Sequence, residues 1–296
     1  MSQPAGTHPL LATNGNLRRR HAVNRAVEIS AWIAALLAVA VLALVITSVA
    51  VKGISSINID FFTKNTANFG GGGIGNAIVG SAIIVGVATL MAVPLGILVA
   101  IYTSEFAGQR SAFAIRYVLD ILNGVPTIVT AIFIFGLIVV PQGKQSGFAG
   151  SVALAIVMLP LIARSCHEVL TLVPGAVKEA GLALGASRWR TTLSVVIPTA
   201  ISGMITGALL AVARAAGETA PLLLTTSIFP DLVQTSPGQA IPNIPVTIFK
   251  YSESPDPTKH AQAWGAALIL ILFVLLISII ARTFSARTRR RLGAAR

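Results

Sequence analysis

Six stretches of this chain, residues 29–51, 74–102, 118–140, 150–163, 200–225 and 264–282, are apolar over close to the length a helix needs to cross a bilayer. A crossing takes roughly 20 residues, because each residue of an α-helix rises only about 1.5 Å and the hydrocarbon layer is about 30 Å thick. Composition agrees: 54% of the 296 residues are hydrophobic, 11% are charged and the mean hydropathy is +0.81, more apolar than soluble domains tolerate. The chain therefore reads as an all-α membrane protein with six transmembrane helices. The fourth stretch is short, so its helix is expected to run on past Arg164, whose aliphatic stem lets the guanidinium snorkel to the interface.

The basic residues divide by side. Arg18, Arg19, Arg20, Arg25, Arg110, Arg116, Lys178, Arg188, Arg190, Arg287, Arg289, Arg290 and Arg291 fall on one side of alternating crossings, whereas the other holds only Lys52, Lys64, Lys144, Lys250 and Lys259. Short cytoplasmic loops carry the excess of Lys and Arg, so both termini are expected in the cytoplasm. This gives a polar, basic cytoplasmic arm at 1–28, a membrane domain at 29–284 that includes a cytoplasmic loop at 174–198, and a basic cytoplasmic tail at 285–296. The net charge of +12 would suit nucleic acid, but the cations flank spans and no aromatic residues interleave them. Anionic membrane lipids are the expected partner, and nucleic acid is not. Ser48-Val49-Ala50 faintly resembles a signal cleavage site, yet the apolar run before it is longer than the roughly 7–15 residues of a signal peptide, so the first span is expected to be retained.

Several chemistries drop out. Cys166 stands alone, which excludes an intrachain disulfide, and His8, His21, His167 and His260 lack metal-ligand spacing. No catalytic set, metal or cofactor is expected. The glycine-rich segment 69–75 has no Lys-Ser or Lys-Thr behind it and lies on the outer side, so it reads as a flexible lead-in to the second span. The chain carries no nucleotide-binding motif, so any ATP hydrolysis coupled to it belongs to another subunit.

The longest cytoplasmic loop reads as two short helices. Pro174 is placed to open the first, and Glu179 is expected near its start, where a carboxylate complements the helix dipole. Gly185 then ends it and Ser187 caps the next. Leu182, Leu184 and Trp189 supply apolar contact, and Arg188 and Arg190 supply charge. Such an amphipathic knob suits docking; an ordinary interfacial loop is the plainer alternative.

The segment ARAAGETAP, 213–221, sets two charges in an apolar run. If the fifth span begins near Ala200, Arg214 lies about 21 Å into a layer of about 30 Å. A cation there costs on the order of 2.5–3.5 kcal/mol unless it meets a polar cavity or a partner. Glu218, four positions on, is expected on the same helical face and paired with it. The pair is either a structural brace or a binding and gating element. Arginine's planar fork fits a tetrahedral oxyanion, and a neighbouring carboxylate suits an anion that keeps a proton. Hydrogen phosphate donates to a carboxylate; sulfate at neutral pH cannot.

Gly203, Gly207, Ala211 and Ala215 recur every fourth residue, a ridge that permits close packing within the chain or against another subunit. Gly217 and Pro221 flank Glu218 and are expected to kink the span. Arg116 and Asp120 read as an interfacial pair worth a few tenths of a kcal/mol. Pro94, Pro126 and Pro160 are each expected to interrupt a span, as shapers or as hinges.

Between Glu179 and Pro198, the order Glu179-Ala180-Gly181, three residues, Gly185, nine residues, Val195-x-Ile197-Pro198 resembles the EAA loop of bacterial ABC-importer permeases, with Gly181 in place of the second alanine. The resemblance implies a type I ABC-importer permease (MetI-like) fold, in which this loop carries a coupling helix seated in a cleft of an ATPase. Glu179, Ala180, Gly181, Gly185, Arg188 and Pro198 would then carry the coupling. Residues 214–221, Asn123-Gly124-Val125-Pro126-Thr127-Ile128-Val129, Pro242-Asn243-Ile244-Pro245-Val246 and Pro255-Asp256-Pro257 are similar to the permease subunits of phosphate importers, over about 70–282. That likeness implies a substrate path through Arg214, Glu218 and Thr219, with Asp120, Asn123 and Thr127 as lesser candidates. It implies a non-enzymatic subunit of the bacterial inner membrane that works by alternating access. Its partners would be a PstC-type permease subunit, a PstB-type ATPase dimer, a PstS-type binding protein and inorganic phosphate. The alternatives are the sister permease subunit, a sulfate or molybdate permease, and, from another class, an anion channel. The EAA loop argues against a channel, which needs no ATPase dock.

Overall fold

The structure, a computed structural model, describes residues 16–66, 72–226 and 236–293, with side chains from 19 to 284 within those segments. Residues 1–15 of the basic arm, 67–71, which include the start of the glycine-rich segment, 227–235 and 294–296 of the tail lie outside it, as do the side chains of Arg18 and of the tail arginines. The described residues form helices without strands.

The chain divides into two units, 1–51 and 52–296. The described part of the first is helix α1 (Asn16–Ile54) as far as Val51. Trp32, Ile33, Leu42 and Leu44 point to different sides of its cylinder and are all exposed, as suits a helix that is apolar all round and bathed in lipid.

The second unit holds α2 (Ile59–Thr63), α3 (Gly75–Ile101), α4 (Gln109–Gly124), α5 (Thr127–Ile134), α6 (Val140–Gln142) and α7 (Gly147–Thr171). It continues with α8 (Gly175–Ala183), α9 (Arg188–Thr191), α10 (Ile197–Ala216), α11 (Ala220–Thr225), α12 (Ile244–Ser252) and α13 (Pro257–Gly293). π-helical turns at Tyr102–Phe106, Phe135–Val139 and Thr192–Val196 extend α3, extend α5 and lead into α10.

Among the described residues, five helices are long and apolar enough to cross a membrane: Arg19–Ile54, Gly75–Phe106, Gly147–Thr171, Arg188–Ala216 and Pro257–Phe284. A sixth crossing is available only as a broken pair, Gln109–Gly124 with Thr127–Gln142, bent by 96°. The span expected at 118–140 is this pair, interrupted at Pro126 as the sequence reading has it, with its first half starting earlier, at Gln109. The residue before a proline is pushed out of the α region, and proline itself donates no hydrogen bond. Val125 (ψ 127°) and Pro126 (ψ 133°) are both extended, and the chain turns there.

Pro94 and Pro160 do not interrupt their spans, contrary to the sequence reading; each sits inside a continuous helix. Both helices are held on their flanks. An ideal Cβ on Gly96 would lie 2.8 Å from Ile162 Cγ2, so α3 and α7 touch almost backbone to backbone just beyond the two prolines. The fourth span runs past Arg164 to Thr171, as expected. The fifth begins at Arg188, not near Ala200, and stops at Ala216, so the depth counted from Ala200 does not apply to Arg214.

The core lies between α3, α7 and α10 and is built largely from small side chains: Ala88, Ala92, Ala100, Ala155, Ala200, Ala208 and Ala211, filled in by Ile84, Leu154, Met158 and Ile162. Lipid is as apolar as leucine, so close van der Waals approach drives helix association here in place of the hydrophobic effect. A second cluster joins α2, α12 and α13 through Phe61, Ile244, Tyr251 and Ala266. Gly73 and Gly75 abut the carbonyls of α2 so closely that no Cβ fits. The part of the glycine-rich lead-in that is described is therefore packed in place, against the expectation of flexibility.

Candidate functional site

Two arginines from different helices face one cavity. Arg214 lies in the last turn of α10, and Arg164 lies on α7 beyond Pro160. Both line a cavity of about 380 Å³ with Asn123 from the end of α4, Thr127 and Thr130 from α5, and Val157 and Leu161 from α7. The bend at Val125 and Pro126 makes this grouping: it exposes the end of α4 and the start of α5 toward α7.

Of the residues named from sequence for the substrate path, Arg214, Asn123 and Thr127 come together here. Glu218 and Thr219 do not line the cavity. Glu218 is not on the helical face of Arg214 either: α10 ends at Ala216, Gly217 caps it with φ −95° and ψ −3°, and Glu218 follows in the break before α11. A residue without Cβ and a proline in the first turn of the next helix account for the break. The pair persists across it, with Arg214 Nε 3.7 Å from Glu218 Oε1, beyond hydrogen-bond length. Arg214 is 65% exposed while Glu218 is 20% exposed, so the cation is the accessible member.

Asp120 belongs to a neighbouring, smaller cavity with Thr103, Arg116, His167 and Glu168. It accepts a 2.9 Å hydrogen bond from Arg164 Nη1. The expected Arg116–Asp120 pair is corrected: Arg116 Nε donates to the Ala112 carbonyl instead. Arg164 also donates from Nε to Glu168 at 3.2 Å and lines both cavities. Sequence reasoning took Arg164 for a snorkelling side chain and missed it. The signal was present, because Arg164 and Glu168 repeat the spacing of Arg214 and Glu218 inside another apolar helix.

The loop 174–198 folds as a knob. Pro174 caps α8, Gly185 takes a left-handed φ of 81° where α8 ends, and Ser187 accepts from the Arg190 amide to cap α9. Glu179 is mid-helix and no acidic residue lies in the first turn of α8, so it gains nothing from the helix dipole there, contrary to the reading from sequence. A Cβ on Gly181 would sit 2.8 Å from Thr191 Cγ2, which gives a physical reason for glycine where the EAA pattern has alanine. Leu184 and Trp189 are 88% and 56% exposed, an apolar surface at the knob's tip beside exposed Arg188. Pro198 enters the first turn of α10. Gly203 and Gly207 face α7, where a Cβ would meet Val169 at 2.6 Å in the first case and collide with Ser165 Oγ in the second; Ala211 is buried on the same helix.

A family model described as "Binding-protein-dependent transport system inner membrane component" matches residues 92–290. The chain belongs to this family. The match to the inner membrane components begins within α3 and takes in every residue of the cavity and of the knob. Relatives within reach of the whole chain include the "Phosphate transport system permease protein PstA" of Yersinia pestis, 39% identical over 83% of this chain and 84% of its own. The protein of the same name from Haemophilus influenzae is 37% identical over 93% of this chain and 98% of its own. "Phosphate transport system permease protein PstA 1" of Mycobacterium tuberculosis is 38% identical over 75% and 73%.

Among solved structures, an inward-facing MetNI methionine ABC transporter aligns with TM-score 0.55 at 17% identity, over 72% of this chain and 92% of that one. A bacterial alginate ABC transporter in complex with a pentasaccharide-bound periplasmic protein aligns with TM-score 0.61 at 13% identity, over 91% and 96%. At these identities they show the fold alone, that of type I ABC-importer permeases. The inner membrane component is a multi-pass membrane protein and the permease part of an ABC transporter.

Proposed function

We propose that this permease carries inorganic phosphate, and that Arg164 and Arg214 are the cations that receive it in the cavity between α4, α5, α7 and α10. The observation that carries the proposal is the meeting of two guanidinium groups with Asn123, Thr127 and Thr130 around one cavity of about 380 Å³. Permanently charged planar forks bind a tetrahedral oxyanion through parallel hydrogen bonds, and amide and hydroxyl groups complete its shell. The names of the relatives support the same cargo and weigh against the sister subunit, against sulfate or molybdate permeases and against a channel.

Glu218 discriminates. Standing 3.7 Å from Arg214, it can accept the proton of hydrogen phosphate or close on Arg214 when the cavity is empty. Thr219, beside it, borders the path without lining the cavity. Asp120 acts one step removed, by holding Arg164.

The knob at 174–198 docks an ATPase. Its exposed Leu184, Trp189 and Arg188 support that reading, as does a fold shared with chains of ABC transporters. The full transporter then comprises a PstC-type permease beside this chain, a PstB-type ATPase pair below and a PstS-type binding protein above. Both termini are cytoplasmic, supported by the Lys and Arg bias. ATP binding opens the cavity outward and hydrolysis resets it inward, with no chemistry at this chain.

Labelled-phosphate uptake by cells carrying Arg214→Lys tests the reading. Lysine keeps the charge and loses the fork, so uptake falls if two-point recognition of phosphate occurs here. Uptake at the unsubstituted rate removes Arg214 from the path.

A further inference from the structure

The knob is joined through the chain to the two helices that carry the cavity arginines. α7, with Arg164, ends at Thr171 and α8 starts at Gly175; α9 runs through the π-helical turn Thr192–Val196 into α10, which ends with Arg214. α3 has no such link, since it and its π-helical turn end at Phe106, far in sequence from the start of α8 at Gly175. Two side-chain contacts supply one.

Lys178 Nζ on α8 lies 2.6 Å from Glu105 Oε1 in the π-helical turn that ends α3. The ring of Trp189 on α9 lies 5.7 Å from that of Phe106 in the same turn. The ion pair differs from the others described. Both its side chains are largely covered, at 26% and 10% exposed, whereas Arg214–Glu218 has one covered member, Glu218 at 20%, and the side chains of the Asp60–Lys64, Asp120–Arg164 and Arg164–Glu168 pairs are all at least 58% exposed. A pair withdrawn from water is screened little, and removing one partner strands the other. π-helical turns are rare and concentrate at functional positions.

α3 in turn backs α7 at Gly96, where Ile162 and Ala163, the two residues just before Arg164, approach its backbone. A pull on the end of α3 therefore reaches the wall that holds Arg164.

From this geometry we infer that Glu105 and Lys178 are positioning residues that make α3 follow the knob, so that α3, α7 and α10 move as one block when the ATPase moves α8. Phe106 and Trp189 are the second fastening of the same strap. The inference rests on the reading that the knob docks an ATPase, and it does not depend on which cargo is carried.

The test uses the complete transporter reconstituted in vesicles, with ATP hydrolysis and phosphate uptake measured on the same sample, for Glu105→Gln, Lys178→Met and the exchanged pair Glu105→Lys with Lys178→Glu. In the single variants uptake per ATP hydrolysed falls about 10-fold while hydrolysis continues, and the exchanged pair recovers most of the loss, as reciprocal coupling between two residues requires. A ratio unchanged in the single variants overturns the inference. So does a parallel fall of hydrolysis and uptake, which marks a brace for docking only, and so does an exchanged pair no better than the single variants.

Spin labels at Leu98→Cys on α3 and Val177→Cys on α8, both exposed and neither assigned to docking, give a readout free of cargo. Their separation holds on ATP binding when the strap is intact and shifts in Lys178→Met; a separation that behaves alike in both overturns the inference. If the unsubstituted complex hydrolyses ATP without moving phosphate, the cargo reading fails while the label distances still judge the strap.

Discussion

Arg164–Glu168 and Arg214–Glu218 have the same spacing in sequence and opposite settings in the fold. The first lies inside a continuous α7, hydrogen-bonded at 3.2 Å, with a second carboxylate from Asp120 at 2.9 Å and every member exposed. The second straddles the end of α10 at 3.7 Å, with its carboxylate mostly covered and its cation free to reach the cavity. An i,i+4 pair is a helical neighbour only where the helix persists. Where Gly217 ends it, the pair becomes a loose contact that substrate can outcompete. Arg164 is held by two acids and Arg214 by one at a distance, so the two cations facing one cavity are expected to answer differently to substitution.

The largest effect should come from Arg214→Lys. Hydrogen bonds to charged groups are worth about 1.5–3 kcal/mol, which translates to a loss of phosphate uptake on the order of 10- to 100-fold. Arg164→Lys should lose less, since its two carboxylates already occupy it; an equal loss in labelled uptake would break the contrast between the pairs.

Gly207→Leu tests what sets the two arginines relative to each other. The contact of Gly207 with Ser165, next to Arg164, leaves no room for a side chain, so overpacking should destabilise by about 1–3 kcal/mol, read as a lower Tm of the purified complex. An unchanged Tm would mean that α10 does not bear on α7 there.

Glu218→Gln comes next. It retains phosphate uptake to a large extent but admits sulfate as a competitor, with discrimination falling by about 1–3 kcal/mol if the carboxylate reads the proton of the anion. Sulfate exclusion that stays intact in competition assays would reduce Glu218 to a brace.

The smallest effect belongs to Asp120→Asn. An exposed pair is worth about 0.2–1 kcal/mol, so uptake should change no more than about fivefold, and upward if freeing Arg164 strengthens cargo binding. A collapse of uptake would place Asp120 in the path itself.

Length and patterning alone determined much of this protein. Apolar runs near 20 residues specified the membrane helices, and the local chemistry of Pro174, Gly185 and Ser187 specified the knob, because caps and left-handed turns depend on residues within one or two turns of one another. The charges of Arg214 and Glu218 marked a site because an ion in an apolar run has no innocent place to go.

Only the tertiary structure decided the rest. Whether a proline breaks a helix depends on what packs beside it: Pro94 and Pro160 are carried within α3 and α7, where neighbours hold the helix, whereas Val125 and Pro126 turn the chain by 96°. That bend brings Asn123 and Thr127 to the arginines, and the partner of Asp120 proved to be Arg164, 44 residues away, in place of Arg116, four residues away. Sequence spacing reports neighbours along one helix, but a cavity is made by helices that meet, and where they meet is set by which small residues let their backbones approach.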